Sequence, residues 1–166
     1  MLIELIHRFC LWLNDTAPAT ALRESLWVFP IVEGIHVLSI ALVAGSIVFL
    51  DLRLLGVLFR GERVTTVARQ VMPVVWTGFG VSAVSGFALF SAEASKCYFN
   101  PAFRLKLLLL LLVGLNPFIY YRTVYRRIAE WDTAIKTPLA ARFAGAASIT
   151  LWTAIIAAGR ATAYFN

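Results

Sequence analysis

Two ionisable side chains, Glu33 and His36, lie three residues apart within a long apolar segment. At that spacing they share one helical face, about one turn from the predicted outer end of the helix. An ionisable carboxylate inside a membrane costs at least about 3 kcal/mol unless it is paired, protonated or hydrated, so it indicates a functional site. The pair is therefore the first place where this sequence predicts chemistry.

His36 has the chemistry of a metal ligand. An imidazole in an apolar interior suits haem iron or copper, with its second nitrogen free for an orienting acceptor. The Glu-x-x-His spacing also occurs in two-metal sites of four-helix bundles, but those sites need a second copy of the motif, and this chain has one. Three interpretations stay open for Glu33 and His36: haem or metal binding, a structural hydrogen bond, and proton transfer.

Four further residues are candidates for the same site. Cys97 offers a soft metal ligand, or pairs with Cys10, or is an inert thiol. Lys106 and Arg160 are expected at the same outer level, where they would neutralise haem propionates or Glu33, or reach the headgroups. Asn116, near the centre of the third apolar segment, would touch a cofactor or join two helices.

The composition requires a membrane around this site. Of 166 residues, 60% are hydrophobic and 14% charged, against about 45–50% and 25% in soluble domains. A soluble globule, a disordered chain and a disulfide scaffold are thereby excluded. Continuous apolar runs, without the alternation of barrel strands, predict an all-α integral membrane four-helix bundle, a single domain over 1–166. The predicted spans cover about 27–50, 67–90, 105–121 and 139–163.

The first 26 residues form a helical preface to these spans. Residues 1–14 place apolar side chains at helical spacing among polar ones, which is typical of an amphipathic helix lying in the membrane interface. Thr16 to Pro18 interrupt this helix, and a second short helix leads into Trp27. Since no small-residue cleavage site follows the apolar stretch, we expect the first span to act as an uncleaved insertion signal.

The basic residues that give the chain its net charge of +6 predict its orientation in the membrane. The basic residues flank the apolar runs and form no stripe, so no nucleic-acid partner is predicted. Nine of the 15 lie in or beside the two loops after spans one and three, which predicts that both loops are in the cytoplasm and both termini on the outer side. Asp51 and Arg53, at the inner end of the first span, predict an ion pair with a neighbouring helix.

Small residues mark one face of the second span. Gly78, Ser82 and Gly86 recur every four residues. Such a face lets a second helix, or a flat cofactor, approach closely. With lipid as the solvent, small residues also favour association between copies of the chain, so a homo-oligomer is expected.

The chain contains the runs Phe29-Pro30-x-x-Glu33-x-x-His36-Val37-Leu38, Gly45 with Asp51-Leu52-Arg53-Leu54-Leu55-Gly56, and Asn100-Pro101-Ala102-Phe103-Arg104-Leu105-Lys106 with Asn116. These runs resemble a group of small bacterial inner-membrane proteins of unassigned function. That group is distantly similar to copper-resistance D type proteins and to four-helix b-type cytochromes. The resemblance implies a haem or copper site with His36 as ligand. Since no second histidine lies in a span, the sixth iron position would fall to His7, another side chain, a second protomer or nothing.

Together these patterns predict a membrane protein that binds haem b or a metal, with His36 as ligand and Glu33 beside it near the outer leaflet. Electron transfer with a quinone or another redox partner is the expected activity. The alternatives are a copper or proton transporter using the same pair, and an accessory subunit without a cofactor. The sequence carries no hydrolase or transferase signature.

Overall fold

The computed structural model describes residues 1–164 of the chain, and no strand occurs in that range. Short 3₁₀ turns follow α6 and α8. The helices are α1 (Leu2–Asn14), α2 (Ala17–Glu24), α3 (Val28–Leu55), α4 (Val64–Ala92), α5 (Ala94–Phe99), α6 (Pro101–Thr123), α7 (Ile128–Trp131) and α8 (Leu139–Ala161).

Four helical segments are long and apolar enough to cross a membrane. They are α3, α4, the stretch Pro101–Trp131 that contains α6, and α8. The predicted all-α, multi-pass membrane architecture is thereby confirmed. Helix α3 runs beyond its predicted end to Leu55, and the third helix begins earlier, at Pro101, because Asn100 caps it by accepting a hydrogen bond from the backbone N–H of Phe103 at 3.1 Å.

The spans pack in the order α4, α3, α8, α6. Helix α3 contacts α4 on one side and α8 on the other, and α8 contacts α6. Within residues 1–164 the backbones of α4 and α6 do not come together. Side chains bridge this fourth side near one end, where the rings of Phe90 and Phe103 stack at 5.5 Å. The bundle is therefore closed by helix contacts on three sides only.

Small residues allow the close contact between α3 and α4. A Cβ atom added at Gly78 would lie 2.8 Å from Cγ2 of Val43, a distance no real side chain tolerates. Val43 in turn belongs to an apolar cluster with Trp152 and Ile155 of α8. The small-residue face predicted for the second span thus packs against α3.

The N-terminal preface is fixed to the end of the bundle where α4 finishes. Cys10 and Leu13 pack against Ala94 of α5. Arg23, on α2, donates hydrogen bonds to the carbonyls of Asn14 at 3.1 Å and Ala92 at 2.9 Å. Because Ala92 is the last residue of α4, this arginine satisfies a carbonyl that the helix leaves without an internal partner.

At the opposite end, Arg53 joins the two loops of the bundle. Its side chain has no exposed surface. The Nε atom donates to the carbonyl of Glu62 at 2.8 Å, and Nη2 lies 3.4 Å and 3.3 Å from the carbonyls of Asp132 and Ala134. The predicted ion pair is wrong: within residues 1–164 neither Asp51 nor Arg53 takes part in one, because loop carbonyls occupy the guanidinium.

Candidate functional site

His36 lies half-buried between α3 and α4, with its ring against Ser85. Its Nδ1 atom lies 3.0 Å from Oγ of Ser85. The Ser85 hydroxyl donates its single hydrogen to the carbonyl of Val81 at 2.7 Å. Ser85 must therefore accept from His36, which places the ring proton on Nδ1. The lone pair of the neutral imidazole is then on Nε2.

Gly86 gives the imidazole its room. A Cβ atom at this position would lie 2.7 Å from Cε1 and 3.3 Å from Nδ1 of His36. The ring therefore rests directly on the α4 backbone at Gly86. The hydrogen bond to Ser85 and this contact together fix both the depth and the orientation of His36.

Lys106 approaches the same site from α6. It is half-buried, and it lies close enough for its charge to act on the His36 ring. Its ammonium is 3.9 Å from the position a Cβ would take on Gly159 of α8. All four spans thus contribute to one level of the bundle, through His36, Ser85, Gly86, Lys106 and Gly159. The structure brings together two of the predicted site residues, His36 and Lys106.

Three predicted residues lie apart from the imidazole. Glu33 and Arg160 are exposed and form no ion pair or side-chain hydrogen bond within the described chain. Asn116 is half-buried, and its amide donates to the carbonyl of Ala144 at 3.0 Å, joining α6 to α8. Ten residues along α6 separate it from Lys106, a rise of about 15 Å. Its observed contact is the helix-joining one.

Cys97, on the short helix α5, is a half-buried free thiol. Burial, and next the negative charge of Glu93, raise the pKa of this thiol to about 11. Burial also raises the pKa of Cys10, the other free thiol. Cys10 and Cys97 do not pair in the described chain, where both are free thiols.

The donor set limits what the site can hold. In residues 1–164, no three His, Cys, Asp or Glu side chains lie close enough together to hold a metal ion. The site contributes one free imidazole nitrogen and one nearby cation, in apolar surroundings. That arrangement suits a group that brings most of its own metal ligands.

Ser85 is the contact that sequence reasoning missed. The predicted small-residue face included its neighbour Gly86, but periodicity alone did not single out this serine. Its position three residues after Ser82 and one before Gly86 was the available signal. Only the packing of α4 on α3 shows that it faces His36.

The fold and this site define a class: multi-pass helical membrane proteins with a single intramembrane histidine, fixed by a serine on the next span. Residues 28–165 match the sequence profile of a family of unknown function (DUF6644). The match covers most of the chain, so the protein belongs to that family. No curated protein and no solved structure matches the chain.

Proposed function

We propose that this protein binds haem b in a bacterial inner membrane and transfers electrons, and that Nε2 of His36 would be the ligand to the haem iron. The observation that carries the proposal is the hydrogen bond from Nδ1 of His36 to Ser85, whose own hydrogen is committed to Val81. Metal-binding histidines characteristically donate their second N–H to such an acceptor, which fixes the tautomer and the ring orientation. The acceptor that orients the ring would be the hydroxyl of Ser85.

The donor set favours haem over a bare metal ion. A transition-metal ion held by protein alone needs several side-chain ligands, and the described residues bring no three together. Haem carries four nitrogen ligands on its own ring and takes only axial ligands from protein. A single imidazole is therefore a sufficient ligand in this case.

Each residue around the imidazole has a definite task in this proposal. When bound, haem supplies one-electron redox chemistry. Ser85 and Gly86 hold the ring of His36, and Lys106 would compensate the negative charge of propionate groups, as half-buried cations do. The side of the bundle where α4 and α6 do not meet supports the entry of a flat group between helices.

The membrane placement is part of the same proposal. With both termini on the periplasmic side, as the distribution of basic residues predicts, the level of His36 lies near the outer leaflet. The electron partner would be a membrane quinone or a redox protein. A homo-oligomer, favoured by the small residues of the spans, would then place several such sites in one assembly.

An absorption spectrum of the detergent-purified protein, expressed with haem precursor, tests the proposal. We expect a Soret band that sharpens on reduction with dithionite. His36→Ala should abolish it, and Ser85→Ala should lower haem affinity about 10–100-fold. His7→Ala is the matched control, because His7 lies in α1, stacked on Tyr98, outside the four spans.

Two outcomes contradict the proposal. A Soret band that survives His36→Ala would remove His36 as the ligand. Stoichiometric copper in elemental analysis, without a Soret band, would replace haem by a copper site.

A further inference from the structure

A second polar cluster lies at the end of the bundle away from His36. It consists of Asp51, Arg53 and Tyr120. Within residues 1–164, each has a buried side-chain atom without a hydrogen-bond partner: Oδ2 of Asp51, Nη1 of Arg53 and the hydroxyl of Tyr120. Asp51 is 4% exposed and Arg53 0%. No step of the proposed haem chemistry uses these groups.

The cluster is enclosed by three spans. On α8, Gly145 allows close approach: a Cβ there would lie 3.0 Å from the backbone oxygen of Asp51. Ser148, also on α8, lies against the Asp51 carboxylate. Tyr120 enters from α6, packs on the apolar cluster around Leu54, and is near enough for the charges of Asp51 and Arg53 to act on its hydroxyl.

Direct contacts satisfy these groups only in part: Nε and Nη2 of Arg53 donate to loop carbonyls, but one buried atom of each group is left without a partner. Asp51 and Arg53 form no ion pair in the described part of the chain. A buried neutral donor without an acceptor costs about 1–3 kcal/mol. A bound species that donates to Asp51 and accepts from Arg53 would satisfy the unpaired atoms at this end of the bundle.

The donor and acceptor inventory identifies that species. The Asp51 oxygen needs a donor, whereas the Arg53 N–H needs an acceptor and the Tyr120 O–H can take either role. A metal cation would suit the carboxylate but repel the guanidinium, and an anion would do the reverse. Water both donates and accepts, and buried waters typically make about three hydrogen bonds to groups of this kind.

We propose that Asp51, Arg53 and Tyr120 bind a small cluster of internal water molecules at the loop end of the bundle. The waters donate to Asp51 and accept from Arg53, so they separate the two charges while satisfying both. The site stands independently of the haem proposal, because it shares no residue with it. It gives a carboxylate within a membrane span contact with exchangeable protons although bulk water does not reach it.

Hydroxyl-radical footprinting of the purified wild-type protein tests this site. X-ray irradiation generates radicals from bound water, so a side chain beside internal water is oxidised even when it is buried. We expect Tyr120 to be oxidised at least severalfold faster than Trp152, which is buried in the apolar cluster with Val43 and Ile155. Indole is intrinsically the more reactive ring, so oxidation of Tyr120 at or below the rate of Trp152 would overturn the proposal.

The direction of the change in Tm caused by one substitution gives a second test. Tyr120→Phe removes the hydroxyl and keeps the ring. If water binds the hydroxyl, the variant loses a hydrogen bond and its Tm falls by several degrees; if the site is dry, an unsatisfied group is removed and Tm stays or rises. Tyr121→Phe, at an exposed position next in the chain, is the control and should leave Tm unchanged.

The same melting experiment separates water from an ion. With water as the occupant, Tm of the wild-type protein is equal in sodium, potassium and choline chloride at one ionic strength. A Tm that rises only with one metal cation would overturn the assignment in favour of a cation site.

Discussion

At the residue scale, the chemistry of an intramembrane imidazole is decided by what holds its second nitrogen. In this protein Ser85 does so, and because its hydrogen is committed to Val81 it can only accept. A serine whose hydroxyl hydrogen had no other acceptor could either donate to the imidazole or accept from it, and the tautomer would not be determined. Here one carbonyl on α4 determines, through Ser85, which nitrogen of His36 keeps its lone pair.

Gly86→Ala should weaken haem binding without touching a ligand. The added methyl carbon would lie 2.7 Å from Cε1 of His36, so the ring must move and its hydrogen bond to Ser85 must lengthen. We expect haem affinity to fall about tenfold, measured by titrating haem into the apo protein. Gly80→Ala is the matched control, because a Cβ there meets nothing within 4 Å. Equal affinities for the two variants would show that the contact at Gly86 does not hold the ring.

Depth in the membrane could be predicted from the sequence better than direction around a helix. His36 and Lys106 were expected at one level because each lies a fixed number of residues from the outer end of its span, and the structure brings them near each other. Glu33 lies three residues from His36, which is about 60° short of a full turn, and it is exposed. Ser85 was missed because the rotation of α4 against α3 is set by packing.

At the element scale, α4 receives its N-terminal cap from a distant loop. Asp132 accepts hydrogen bonds from the backbone N–H of Thr65 at 2.9 Å and from its hydroxyl at 2.7 Å. The backbone N–H of Val64 donates to the carbonyl of Asp132 at 3.2 Å. Partial burial alone would raise the pKa of the Asp132 carboxyl, but the hydrogen bonds from Thr65 and the nearby Arg63 lower it below its ordinary value.

Asp132→Ala should lower the free energy of unfolding by about 1 kcal/mol, the usual cost of losing such a cap. Because the folded-state pKa is lowered, the cap stabilises fully above the ordinary carboxyl pKa and is lost as pH falls through the lowered value. Thermal unfolding in detergent at neutral and acidic pH measures both effects. Glu130→Ala, at a neighbouring exposed position, should change little. A variant as stable as wild type at neutral pH would contradict the role of Asp132.

Helices could be predicted from hydropathy because each span is a local property of about 20 residues. The ends of the helices, and the hydrogen bonds that join distant segments, could not be predicted in this way. The cap of α4 joins Thr65 to Asp132. The guanidinium of Arg53 donates to carbonyls about 80 residues away. Contacts at such sequence separation leave no periodic pattern, which is why a conventional ion pair was predicted for Arg53 in place of its carbonyl partners.

At the scale of the whole molecule, the distribution of basic residues predicts the orientation of the chain in the membrane. With nine of 15 basic residues in or beside the loops after α3 and α6, those loops are expected in the cytoplasm. Alkaline phosphatase fused after the C-terminus should therefore be active, and the same enzyme inserted at Gly61 inactive. A green fluorescent protein fusion should give the opposite pattern at each position. Reversed activities would place both termini in the cytoplasm.

The hydrogen bonds of Arg53 to the two loops also determine the order in which the bundle can assemble during synthesis. Arg53 enters the membrane with the first hairpin, but two of its three carbonyl partners, on Asp132 and Ala134, are made about 80 residues later. Until then the first two spans offer this guanidinium only the Glu62 carbonyl, so the cation would stay hydrated at the membrane surface. A chain arrested before Asp132 would therefore be an insertion intermediate. Its first two spans would be in the membrane, but Arg53 would lack its carbonyl partners on Asp132 and Ala134. The loop before the last span thus holds the end of the first span in place.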